Sequence, residues 1–125
     1  MSRILVVDDD DAFRAMLRET LERAGHEVHD APNGAIALEI DQRTPCDVVV
    51  IDLVMPEKEG LETILELRRR RSRTKIIAMS GGGSGNPQSN LAIAARLGAR
   101  RTLTKPFSRG ELLLAVDHVL VDATS

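Results

Sequence analysis

Four consecutive β-branched residues, Val48-Val49-Val50-Ile51, run directly into Asp52 and constrain this chain more than any other feature. Branching at Cβ favours extended backbone. A run that is apolar at every position, rather than at every second one, belongs to a strand covered on both faces, as in a parallel sheet between helices. Residues 4–7 and 75–79 carry similar apolar runs. Glu27–Ala31 and Arg101–Thr104 are weaker strands by the same criteria.

The segments between these runs change to helical period. Residues 11–24 place Phe13, Met16, Leu17 and Leu21 on one face, and Gly25 ends the helix. Pro32-Asn33-Gly34 is a turn, followed by a helix over Gly34–Arg43 with Ile36, Leu38 and Ile40 as its apolar positions. Residues 61–70 carry Ile64, Leu65 and Leu67, and residues 88–97 form a fourth helix that stops at Gly98. Ser108 and Glu111 make a capping box for a last helix, Arg109–Val121, with Leu112, Leu113, Val116, Val119 and Leu120 as its stripe. Residues 55–60 and 80–87 read as loops. Five strands alternating with five helices predict an α/β, doubly wound domain with a parallel sheet and right-handed crossovers. The expected domain covers residues 1–121, with a frayed tail at 122–125 and no output domain after it.

Composition narrows the class. A chain of 125 residues suits one domain, since domains usually run about 100–150 residues. With 42% apolar, 29% charged and 2% aromatic residues, the sequence predicts a folded chain with an aliphatic core. A net charge of −2 gives no footprint for direct nucleic-acid binding. The basic cluster at 68–71, with Arg73 and Lys75, reads as a solvated helix end, where positive charge suits the dipole; a docking patch for an acidic partner is the sharper alternative. Cys46 is the sole cysteine and reads as a small core residue in a reducing, cytoplasmic setting. No apolar stretch approaches the ~20 residues of a membrane span, and four acids interrupt any leader pattern at the N-terminus.

Sites in open parallel sheets form at the carboxyl ends of the strands. There the sequence places Asp8, Asp9, Asp10 and Asp11 after the first strand, Asp52 at the end of the third, Ser80 at the end of the fourth and Lys105 at the end of the fifth. Asp10 and Asp11 read as helix-capping acids. Asp8, Asp9 and Asp52 would repel one another unless a hard divalent cation such as Mg²⁺ took their oxygens. Aspartate is an established nucleophile in group transfer, and a lysine and a hydroxyl can meet phosphate oxygens.

Ile4-Leu5-Val6-Val7-Asp8-Asp9, Val50-Ile51-Asp52-Leu53-Val54-Met55-Pro56 with Gly60, Ala78-Met79-Ser80 and Lys105-Pro106-Phe107 together resemble the bacterial response-regulator receiver domains of two-component signalling, the CheY-like family. The resemblance spans nearly the whole chain. It implies a flavodoxin-like sheet in the order 2-1-3-4-5. It implies Asp52 as phosphoacceptor and Mg²⁺ held by Asp8, Asp9, Asp52 and the backbone carbonyl of Val54. Ser80 and Lys105 would engage the phosphoryl group, and the Lys105–Pro106 bond would be cis. The implied reaction is in-line attack by Asp52 on the phosphohistidine of a sensor histidine kinase or histidine phosphotransfer protein. A face made of the fourth helix, fifth strand and fifth helix would then signal to a downstream effector. Such a chain is a self-phosphorylating switch rather than a turnover enzyme.

The resemblance has departures. Thr102 stands where the family carries a switch aromatic, the Ser80–Lys105 interval is longer than usual, and Lys58 replaces a position that is often apolar. The glycine-rich stretch 81–85 reads as a flexible loop, disordered without phosphate; its alternative role is to bring backbone N–H groups to a phosphoryl group. Asp8-x-Asp10 is also similar to the opening of haloacid-dehalogenase-type phosphatases, although Ala12 departs from that motif. A receiver-like interaction module that is never phosphorylated is the other alternative. His26, His29 and His118 read as surface residues away from the acidic edge.

Overall fold

The computed structural model describes residues 2–53, 59–70, 73–81 and 87–121. The carbonyl of Val54, Lys58, residues 82–86 of the glycine-rich stretch and the tail 122–125 lie outside the described residues. Strands and helices alternate in chain order: β1 (Arg3–Val7), α1 (Asp11–Arg23), β2 (Glu27–Ala31), α2 (Gly34–Arg43), β3 (Val48–Asp52), α3 (Glu59–Arg70), β4 (Lys75–Ser80), α4 (Pro87–Arg96), β5 (Arg101–Thr104) and α5 (Arg109–Val121). All strand pairs are parallel, and the sheet order is β2-β1-β3-β4-β5, as expected.

The continuous apolar runs are buried on both faces. Leu5, Val7, Val49, Ile51, Ile76 and Ala78 pack with Ala37 of α2, Ile64 and Leu67 of α3, and Ala94 of α4. Ile4, Val6, Val48, Val50, Ile77 and Met79 pack with Leu17 and Leu21 of α1 and Leu112, Val116 and Val119 of α5. The two helix layers therefore clamp the central strands, and both strand edges fall to the short, less apolar β2 and β5.

Local chemistry sets the helix starts. The Asp10 carboxylate caps α1 by accepting from the Phe13 N–H at 3.1 Å. Asn33 caps α2 through the Ile36 N–H at 2.9 Å. The Ser108–Glu111 capping box forms in both directions at 3.0 Å. Pro87 opens α4 rather than ending the preceding loop, a position where its missing N–H costs nothing. Helix α3 starts at Glu59, so Gly60 is helical rather than part of a loop.

Three readings change. In α2 the buried positions are Gly34, Ala37 and Asp41, while Ile36 is exposed. Asp41 turns inward because its carboxylate accepts the Cys46 N–H at 3.1 Å, where the chain turns into β3. In α3 Leu65 faces outward while Thr63 is buried. Arg68 is not a solvated helix end. Its guanidinium donates to the carbonyls of Thr74 at 2.6 Å and Gly98 at 3.2 Å, tying α3 to the start of β4 and to the turn after α4.

On the other face, Asp30 of β2 accepts from Arg14 Nε at 2.7 Å and Arg18 Nη1 at 2.6 Å. Burial pushes the Asp30 carboxyl up, but the two guanidiniums outweigh it and hold the group below 3.8. A carboxyl whose folded pKa is depressed stabilises the fold above its unfolded pKa, and that contribution disappears as pH falls through the folded value. Asp30→Asn is expected to lower stability by about 1 kcal/mol near neutral pH in urea titrations. The gap to wild type should close as pH drops below about 4; a gap that persists in acid would show that the ion pairs are not its source.

Candidate functional site

The carboxyl ends of β1, β3 and β5 converge. Asp8 follows β1 and Asp52 ends β3; both are buried, at 0% and 3% exposure, whereas Asp9 is exposed. One carboxylate oxygen from each of Asp8, Asp9 and Asp52 lies within 4.8 Å of the others. Lys105, just beyond β5, places Nζ 3.0 Å from Asp8 Oδ2 and 3.1 Å from Asp52 Oδ2. Burial pulls the ammonium's pKa down, but the hydrogen bonds and charges of Asp8 and Asp52 overcome this and raise it above 10.5. Lys105 is therefore charged at neutral pH.

The remaining contacts fix the cluster's frame. The second Asp8 oxygen accepts the Asp10 N–H at 2.9 Å. The Asp8 carbonyl accepts Arg14 Nη1 at 2.8 Å, which joins the acidic loop to the Asp30 network. Ser80 ends β4, and its carbonyl accepts the Lys105 N–H at 2.7 Å. Its hydroxyl is buried and has no hydrogen-bond partner among the described residues. Ala78 and Ile76, two and four residues earlier on β4, belong to the α2–α3–α4 side of the core. The structure thus gathers Asp8, Asp9, Asp52 and Lys105 and puts Ser80 beside them at the sheet edge, without a bond from its hydroxyl to the cluster.

Two close approaches hold these strand ends together. A Cβ on Gly60 would lie 2.5 Å from the Asp52 carbonyl oxygen, so only glycine lets α3 start this near to β3. Gly81 has φ of +125° and abuts the backbone of Lys105; a Cβ there would meet the Lys105 carbonyl at 2.8 Å. The sequence assigns Gly81 to a flexible loop or to a phosphoryl-facing backbone, not to a contact with Lys105. Its role depends on a neighbour 24 residues away along the chain (105 − 81), for which a local pattern has no signal.

The donor set fits a hard divalent cation. Three carboxylates against one ammonium leave two negative charges in a small, largely buried space. Two such charges at 4.8 Å repel by about 3 kcal/mol at an effective dielectric constant near 20. Oxygen-only ligands with one exposed member suit Mg²⁺, which retains waters, better than the nitrogen and sulfur sites that zinc prefers. His26, His29 and His118 make no contact with this cluster; His26 accepts from the Ser2 N–H and His29 pairs with Glu27.

The response regulator receiver domain family matches residues 4–117. The chain belongs to this family. Among curated relatives of this receiver, the regulatory protein AtoC of Escherichia coli is 37% identical over 120 residues, covering 96% of the chain and 25% of AtoC. The transcriptional regulatory protein SrrA of Staphylococcus aureus is 34% identical over 119 residues, covering 95% of the chain and 48% of SrrA. The chain thus spans a quarter to about half of these relatives. The solved chemotaxis protein CheY4 of Vibrio cholerae is 31% identical, with a TM-score of 0.85 over 95% of the receiver and 98% of that chain. As a receiver domain it is a signalling switch, and receivers bind Mg²⁺ in an acidic pocket of this kind. The Lys105–Pro106 bond is cis, in line with the resemblance. Thr102 of β5, at the position of the family's switch aromatic, pairs with Ala78 of β4 and is exposed.

The glycine contacts generate a test. Gly81→Ala is expected to cost at least about 1 kcal/mol in urea unfolding, because a side chain at this φ is strained and also meets backbone. Unchanged stability would mean that β4 and β5 can separate locally without penalty.

Proposed function

We propose that Asp52 is the phosphoacceptor of this receiver and that Asp8, Asp9 and Asp52 hold its Mg²⁺. One observation carries the reading: three carboxylates meet within 4.8 Å at the sheet edge while a charged lysine bridges the two buried ones. Asp8, Asp9 and Asp52 would hold the ion, and the Val54 carbonyl, outside the described residues, is the further ligand that the resemblance implies. Bound there, the ion supplies charge neutralisation for the incoming phosphoryl group. A carboxylate oxygen of Asp52 attacks phosphorus, the P–N bond of the donor phosphohistidine breaks, and the imidazole leaves with the bonding pair. Lys105 offsets charge on the phosphoryl oxygens, and its present contact with Asp52 already puts Nζ beside the attacking group.

The phosphoryl group carries about −1.5 to −2 charge in place of the −1 of the free Asp52 carboxylate, so the edge gains about −0.5 to −1 and three acceptor oxygens. Ser80 then has an acceptor for its buried hydroxyl, which draws the end of β4 inward. The signal passes to an effector through α4, β5 and α5, where Ile93 and Thr102 are exposed. With Thr102 in place of a ring, the displacement of β4 and α4 carries the signal, not an aromatic rotamer change. The donor is a sensor histidine kinase or a histidine phosphotransfer protein. The receiver acts in the cytoplasm as a switch without turnover of an external substrate.

Acetyl phosphate with Mg²⁺ tests the reading by intact mass. Wild type should gain one phosphoryl group, and Asp52→Asn should gain none. In parallel, saturating Mg²⁺ should raise the melting temperature of wild type, since a ligand at 100 times its Kd stabilises by about 2.7 kcal/mol. Asp9→Asn should remove most of that response. Labelling that survives Asp52→Asn refutes the acceptor assignment. Labelling absent from wild type favours an unphosphorylated interaction module, and repeated turnover blocked by Asp8→Asn would favour a phosphatase.

A further inference from the structure

Both phenylalanines of the chain, Phe13 and Phe107, sit at this edge. Their rings meet edge to face, with centroids 5.7 Å apart and an interplanar angle of 77°. Phe13 stands in the first turn of α1, and Phe107 follows Lys105-Pro106; both pack against the α1–α5 side of the core. Lys105 Nζ lies 4.3 Å from the centre of the Phe13 ring. The ammonium therefore has three neighbours of opposite character to its own charge: the carboxylates of Asp8 and Asp52 and the electron-rich face of Phe13.

These neighbours differ in what else they can bind. Asp8 and Asp52 are shared with the candidate Mg²⁺ site, so their oxygens are contested as soon as a divalent ion is present. An aromatic face does not ligate Mg²⁺, a hard cation that takes oxygen. Phe107 holds the Phe13 ring edge-on, which limits its rotation away from the lysine. Helix α1 adds a second restraint, because Asp10 caps it through the Phe13 N–H.

Building on the phosphoacceptor reading of Asp52, we infer that Phe13 is a positioning residue: its ring face seats the Lys105 ammonium at the acidic edge when Asp8 and Asp52 turn to the metal, keeping the charge ready for a phosphoryl group. The sequence points to a core role for Phe13 through helical period alone. The structure adds that this apolar position also faces a cation.

Three lysines in the chain, Lys58, Lys75 and Lys105, make the NMR test tractable. With ¹³C-lysine, the ring current of Phe13 should move the Lys105 ε-CH₂ protons upfield of the other two. They should stay upfield through titration to saturation with MgCl₂. Phe13→Leu should bring them to the ordinary position, and Phe13→Tyr should restore the shift. Phe13→Leu should also slow acetyl phosphate labelling by about three- to tenfold, the range of a partly desolvated cation–π contact. Mono-, di- and trifluorophenylalanine at position 13 keep the shape of the ring while draining its face, so labelling should slow in graded steps with little change in melting temperature. This near-isosteric series holds even if Phe13→Leu folds poorly. A Lys105 signal that moves to the ordinary lysine position on adding Mg²⁺ overturns the inference, as does a flat fluorine series. If wild type takes up no phosphoryl group, the acceptor reading of Asp52 fails, while the NMR titration still decides the role of Phe13.

Discussion

The ammonium of Lys105, held between the buried carboxylates of Asp8 and Asp52, is the contact on which the rest of the edge depends. It offsets the like charge at the neighbouring ends of β1 and β3 and ties the end of β5 to them. Removing one partner of such a group leaves buried charge uncompensated, which is costly. Yet one ammonium cannot balance three carboxylates. The surplus of negative charge is what makes the edge receptive to a cation. Structure and reactivity here come from one electrostatic imbalance that the fold maintains by packing.

That packing was largely legible in the sequence. Val48–Ile51 announces a strand covered on both faces, and the alternation of such runs with helical segments leads to the parallel sheet. Once the sheet is parallel, the residues after each strand must share an edge, and Asp8, Asp9, Asp52, Ser80 and Lys105 follow from their order alone. The strand order and the cis bond before Pro106 came from the family resemblance instead, since neither has a local signature in this chain.

What stayed hidden depends on contacts between distant segments. Gly60 and Gly81 look like ordinary loop glycines until β3 and β5 stand beside them. Asp41 belongs to the polar side of α2 by composition, but the Cys46 N–H turns it inward. Arg68 hides in a run of arginines, where charge suggests solvent, and becomes a donor to two buried-side carbonyls. Phe13 satisfies a core stripe so well that its second neighbour, a lysine 92 positions on (105 − 13), leaves no trace in the periodicity. In each case a local rule accounted for the residue adequately, and a tertiary partner gave it a further job.

The Arg68 clamp has a mechanical meaning. It fastens the turn at Gly98, just past the last residue of α4, to α3 and to the entry of β4. The opposite end of α4, at Pro87, lies on the side where β4 delivers Ser80. A ten-residue helix is about 15 Å long. With one end clamped and the other on the side of Ser80, α4 has the geometry of a lever. A tilt about the clamp would move the Gly98 end least and the Pro87 end most.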